Sequence, residues 1–119
     1  MIRRYKDSPF AQRIHPYPSE DKAVIQKILA TADDTGGAVL QFSRSVVLPG
    51  FDVPLHVHAN DMEIIVLLSG YLEYNDEGEK SIVGPGDLMI VRAGGRHAMA
   101  NPFREPAFSL DIVLPDTPK

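Results

Sequence analysis

No stretch of this chain holds a helical pattern for long. Glycines, prolines and short polar clusters cut it into runs of about four to eleven residues, most of them alternating or apolar throughout. That punctuation selects a sandwich or barrel of roughly eight or nine short strands. The run KAVIQKILA from Lys22 fits either period, since Val24, Ile28 and Leu29 could share a helix face; its β-branched members and the all-β remainder favour a strand. DDTGG at 33–37 marks a turn, and AVLQFSRSVVL at 38–48 alternates after it. Leu40, Phe42, Val46 and Leu48 share one face with Arg44 as the exception, against Gln41, Ser43 and Ser45 on the other. EIIVLL at 63–68 is apolar on both faces, so the side carrying Ile64, Val66 and Leu68 needs cover from the N-terminal arm, another sheet or a second subunit. A homodimer is the expected partner. YLEYNDEGEKSIV reads as a hairpin turning at NDEG, and VGPGD at 83–87 as a turn into LMIV. PAFSLDIVLP is a last strand that sets Phe108, Leu110, Ile112 and Leu114 against Ser109, Asp111 and Val113.

A length of 119 residues leaves room for one core. The expected organisation is a proline-bearing arm at 1–21, a single barrel at 22–115 and a frayed tail at 116–119. Hydrophobic content of 44% and charged content of 24% are those of a globular domain. A net charge of −4, with Arg3, Arg4 and Lys6 as the one basic cluster, argues against nucleic acid as a partner. The absence of cysteine excludes thiol catalysis, disulfides and zinc-thiolate sites. No apolar run approaches membrane-spanning length and MIRRYKDSPF lacks an apolar core, so no membrane partner is expected and the cytoplasm is the default location.

The chemistry concentrates in GFDVPLHVHANDMEIIVLLSG at 50–70. On a strand His56 and His58 project from one face with Val57 turned away between them, and Glu63 on the strand running back can reach the same point. GDLMIVRAGGRHAMAN at 86–101 adds His97 after a Gly-Gly pair that permits a tight turn. Three imidazoles and a carboxylate suit a divalent metal, and four polar groups inside an apolar barrel are costly unless they share a partner. In an octahedral site they leave two positions open. Fe(II) or Mn(II) is favoured, while Ni, Co, Zn and Cu are also compatible.

The two segments together resemble the paired motifs of the cupin superfamily. Gly50, His56, His58, Glu63 and Gly70 match the first motif, and Gly86, Gly94, His97 and Asn101 match the second, in which Arg92 stands where the family usually has proline. The resemblance implies an all-β, double-stranded β-helix (jelly-roll) barrel with His56, His58, Glu63 and His97 as metal ligands. It further implies a small-molecule substrate with chelating oxygens, such as an enol, a hydroxyketone or a β-dicarbonyl. A dioxygenase is the foremost expectation, beside a redox-neutral isomerase, lyase or decarboxylase and a non-catalytic binding module. Glu63 could serve both as ligand and as catalytic base. Arg44, if it points inward, would hold an anionic substrate group; if not, it reaches water or a subunit partner. Met99, with the parity of His97, joins Phe108 and Leu110 as a candidate pocket wall. His15 is either solvated or an acid-base group dropped into the barrel mouth.

Overall fold

In a computed structural model, which describes residues 1–10 and 24–117, the chain folds into two antiparallel sheets packed face to face. Among the described residues there are nine strands: β1 (Val24–Thr31), β2 (Gln41–Val47), β3 (Asp52–Val57), β4 (Asp61–Ser69), β5 (Leu72–Asp76), β6 (Glu79–Val83), β7 (Leu88–Val91), β8 (Arg96–Ala100) and β9 (Ala107–Pro115). One sheet has the order β1-β2-β9-β4-β7 and the other β3-β8-β5-β6. This is the double-stranded β-helix that the punctuation and motifs lead one to expect. The ambiguous run from Lys22 is strand because β2 pairs with it from Val24↔Val47 to Thr31↔Gln41. At the expected turn cluster the chain makes one helical turn, α1 (Ala32–Thr35), capped by a reciprocal Thr31–Asp34 box and ended by Gly36 at φ 63°. The β5–β6 hairpin turns through Glu77 and Gly78, both at positive φ, as a two-residue primed turn requires.

The core consists of Val47, Val53, Ile65, Leu67, Leu72, Tyr74, Met89 and Ala107. Within β4, Ile65 and Leu67 are buried while Leu68 lies outside, so Glu63, which shares their parity, also points into the barrel. Pairing then decides the neighbours. Asp111 of β9 lies opposite Ile65, and Ser43 of β2 lies opposite Asp111. The interior faces are therefore Ser43, Ser45 and Val47 on β2 and Ala107, Ser109 and Asp111 on β9. This reverses the simple reading of their alternation, which would turn the apolar members inward. Phe42, Arg44, Val46, Phe108, Leu110 and Ile112 instead form the outer face of the five-stranded sheet, since a strand's register fixes every side chain at once.

The first ten residues lie across part of that outer face. Ile28 N donates to the Pro9 carbonyl (2.8 Å), Arg3 pairs with Asp34 (2.5 Å), and the Lys27 ammonium sits 4.2 Å from the centroid of the Tyr5 ring. His15 and the remainder of the expected arm are outside the described residues. The C-terminal tail starts later than expected, because Asp116 is anchored: its N–H donates to the Asn60 carbonyl (3.2 Å) and its carboxylate accepts from Arg92 and from Ala93 N. Among the described residues no helix is long and apolar enough to cross a membrane.

Candidate metal centre

His56 belongs to β3 and pairs directly with His97 of β8. His58 lies one residue beyond the end of β3. Backbone bonds to the following turn hold it there: His58 N donates to the Gly95 carbonyl (3.1 Å) and Gly94 N donates to the His58 carbonyl (2.6 Å). Gly94 adopts φ 88°, which a side chain would resist, so the Gly-Gly pair is what lets the β7–β8 turn approach this closely. Glu63 enters from the opposite sheet. One ligand atom from each of His56, His58, Glu63 and His97 falls within 4.8 Å of all the others, and the four could hold a metal ion.

The tautomers can be read from what stands behind each ring. His56 Nδ1 donates to the Pro54 carbonyl (2.8 Å) and His58 Nδ1 to the Asp61 carboxylate (2.6 Å), both of which only accept. His97 Nδ1 is hydrogen-bonded to the Tyr74 hydroxyl (2.9 Å). In the neutral rings the Nε2 atoms of His56 and His58 therefore carry lone pairs. They lie 2.9 and 3.1 Å from His97 Nε2, and Glu63 Oε1 is 3.4 Å from His58 Nε2 and 3.3 Å from His97 Nε2. Lone pairs and a carboxylate oxygen at these spacings repel unless a cation or shared proton lies among them. The donor set fits a divalent cation, and each ring has the rear hydrogen bond that fixes a metal-binding imidazole.

The electrostatics agree. Burial alone would raise the Glu63 carboxyl, but hydrogen bonds from His58 and His97 outweigh it and hold the group down at about 2. Glu63 hydrogen bonding draws His58 upward, with Asp61 adding to it, whereas burial pushes His56 down. Burial also pushes Tyr74 well above the ordinary phenol, so its hydroxyl stays protonated behind His97.

The other sequence candidates are not brought to this point. Arg44 lies on the outer face, donating to the Tyr5 hydroxyl (3.0 Å) with its guanidinium 4.9 Å from the centroid of Phe108. Phe108 is outside for the same reason of parity, and Leu110 with it. Met99 does point inward, where it packs on the core. Arg92, in the place of the usual proline, ion-pairs with Asp116 (2.7 Å) and so ties the β7–β8 turn to the chain end. Asn101 closes the second motif structurally: fully buried, it donates to the Val47 and Glu105 carbonyls and accepts from Phe103 N. Tyr74, read from sequence as an ordinary strand aromatic, is instead the support of His97. Asp61 was detectable as an acid three residues after a candidate ligand.

A family model for the cupin domain, Cupin_2, matches residues 43–113, which include all four converging side chains. The chain belongs to the cupin family. Within that family it is 27% identical over 73 residues to the oxalate-binding protein of Thermotoga maritima; the match spans 61% of this chain and 60% of that relative's length. Among solved structures, this cupin superposes with a TM-score of 0.84 on a predicted oxalate decarboxylase from T. maritima, at 23% identity and over 97% and 99% of the two chains. KdgF from a Halomonas species gives 0.70 at 21% identity over 85% and 86%. The Cupin_2 domain of an XRE family transcriptional regulator from Enterobacter cloacae gives 0.67 at 22% identity over 82% and 100%. At these identities the structures speak for the fold, which serves more than one purpose.

Proposed function

We propose that this cupin holds one divalent metal ion on His56, His58, Glu63 and His97 and binds there a small anion with two neighbouring oxygens, oxalate being the leading candidate. The observation that carries the reading is the convergence of three imidazoles, each tied from behind, on one carboxylate oxygen. Spacing supports a six-coordinate ion: ligand atoms at right angles with bonds of about 2.1 Å lie about 3.0 Å apart, against about 3.4 Å for a tetrahedron. The 2.9 and 3.1 Å separations between nitrogens fall on the right-angle value, which favours iron(II) or manganese(II) over zinc and leaves two positions for ligand oxygens. The bound ion would supply Lewis acidity, stabilising negative charge on those oxygens. Glu63 is in this reading both a ligand and the group that can accept a substrate proton. Ile65, Leu67 and Met89 fill the interior beneath it, which favours a ligand of few atoms. The names of the T. maritima relatives give oxalate its place ahead of larger chelators.

Decarboxylation or simple binding of oxalate is thus the leading reading, with no net consumption of oxygen. Dioxygenation of an enol, a hydroxyketone or a β-dicarbonyl would use the same four ligands and is the second. We further read the protein as a cytoplasmic homodimer joined through the outer face of the five-stranded sheet. Exposed Leu68, Leu88 and Ile90 support that reading.

The test begins with elemental analysis of protein purified without chelators or an imidazole column. Calorimetric titration of the iron- or manganese-loaded protein with oxalate follows, with formate, carbon dioxide and oxygen monitored. Saturable, metal-dependent binding is expected. Formate and carbon dioxide without oxygen uptake mark a decarboxylase, and binding without turnover marks a binding module. Oxygen uptake with enolisable compounds would favour the second reading, and a protein that takes up no metal would overturn both.

A further inference from the structure

The barrel interior holds a second carboxyl group for which the metal centre has no use. Asp111 is 4% exposed on the inner face of β9, opposite Ile65 of β4. Glu63 precedes Ile65 by two residues on the same inner face. The two acids are therefore diagonal neighbours across a strand pair, about 7–8 Å apart at the backbone. The Ser45 hydroxyl donates to one Asp111 oxygen, the Ser109 hydroxyl donates to the other (2.9 Å), and Gln26 of β1 adds a third hydrogen bond.

No cation accompanies these donors. The basic residues of the adjoining strands, Lys27 and Arg44, face the opposite side, over the Tyr5 and Phe108 rings. Among the described residues, no lysine or arginine is ion-paired with Asp111. What faces it from β1 and β2 is uncharged, and from β4 it is Glu63. The titratable groups across the interior are His56, His58 and His97 of the centre, with Tyr74 behind them. A carboxylate shut in with a second carboxylate and no counter-ion is costly, and hydroxyl donors offset only part of that cost. Burial first, and then the charge of Glu63, push Asp111 up to about 6.

We propose that Asp111 is a positioning residue acting through Glu63, a buried carboxyl group that takes up one proton from solvent when an anionic ligand enters the site. The inference rests on reading the centre as an anion-binding one. No bond of the ligand breaks in this step; a proton passes from water to the Asp111 carboxylate and removes one negative charge from an interior that has just gained charge. The isosteric Asp111→Asn keeps a hydrogen-bonding group in the same place but cannot take a proton.

Calorimetric titration of manganese-loaded wild type and D111N with oxalate, from pH 5.5 to 8 and in buffers of different ionisation heat, reads the proton directly. Wild type is expected to take up about one proton per oxalate in the upper part of this range, its affinity falling by up to about tenfold per pH unit. D111N is expected to take up none through this group and to bind with a correspondingly flatter pH profile. Equal proton uptake and equal slopes in the two proteins would overturn the proposal. If neither protein binds oxalate at any pH, the oxalate reading fails, and Asp111 is then judged on the metal-free wild type by carboxyl carbon NMR assigned by triple resonance. A midpoint near 6 upholds the proton site, and a carboxylate ionised throughout pH 5 to 7 removes it. That measurement also decides the matter if D111N does not fold.

Discussion

Behind each imidazole of the centre stands a different kind of partner: a backbone carbonyl for His56, a carboxylate for His58 and a phenol for His97. The phenol is the replaceable one. Tyr74→Phe keeps the packing and removes the hydroxyl that orients His97, so metal affinity should fall about 10- to 100-fold, measured by competition with a chelator. His58→Ala should lose most of the metal while the metal-free protein melts within a few degrees of wild type; full occupancy in that variant would remove His58 from the ligand set. The four converging residues were legible in the sequence because their spacing carries the geometry: parity joins His56 to His58, and a Gly-Gly turn precedes His97. Tyr74 and Asp111 were not. An aromatic on a strand is ordinarily core, and nothing local to Asp111 says which face of β9 turns inward.

Among the elements, the turn after β4 shows why a motif position is glycine. Gly70 adopts φ 80°, and a Cβ there would strike the Pro106 carbonyl and come within 2.8 Å of Ala107 Cα, both backbone atoms that cannot step aside. Gly70→Ala should cost about 2–3 kcal/mol in denaturant unfolding; a loss below half a kcal/mol would mean the loop before β9 yields freely. Strand existence was readable from punctuation, down to the NDEG hairpin. The inward faces of β2 and β9 were not, because the rule that apolar side chains point inward assumes a dry interior. Here the interior must also accommodate Ser43, Ser45, Ser109 and Asp111, and the apolar alternates Phe42, Val46, Phe108 and Leu110 are pushed to the outside. The same error carried Arg44 and Phe108 into the predicted substrate pocket.

For the molecule as a whole, that displaced apolar face is the surface that two copies would share. It runs through paired positions Ile90, Ile64, Ile112 and Phe42 across four strands, and Leu88 and Ile90 at its edge are 59% and 49% exposed. Wild type should scatter light as a dimer at micromolar concentration, and Ile90→Glu should shift it to monomer with its metal content unchanged; a wild-type monomer would end the argument for pairing. The strand order has a consequence in time. β2 must find β9, and β3 must find β8, across most of the chain before either sheet is complete, so closure of long loops precedes the contacts that reward it. The three histidines and Glu63 meet only when both sheets have docked. Added metal should therefore leave the refolding rate of the chain almost untouched and slow its unfolding, an asymmetry that stopped-flow measurements on loaded and chelated protein would reveal.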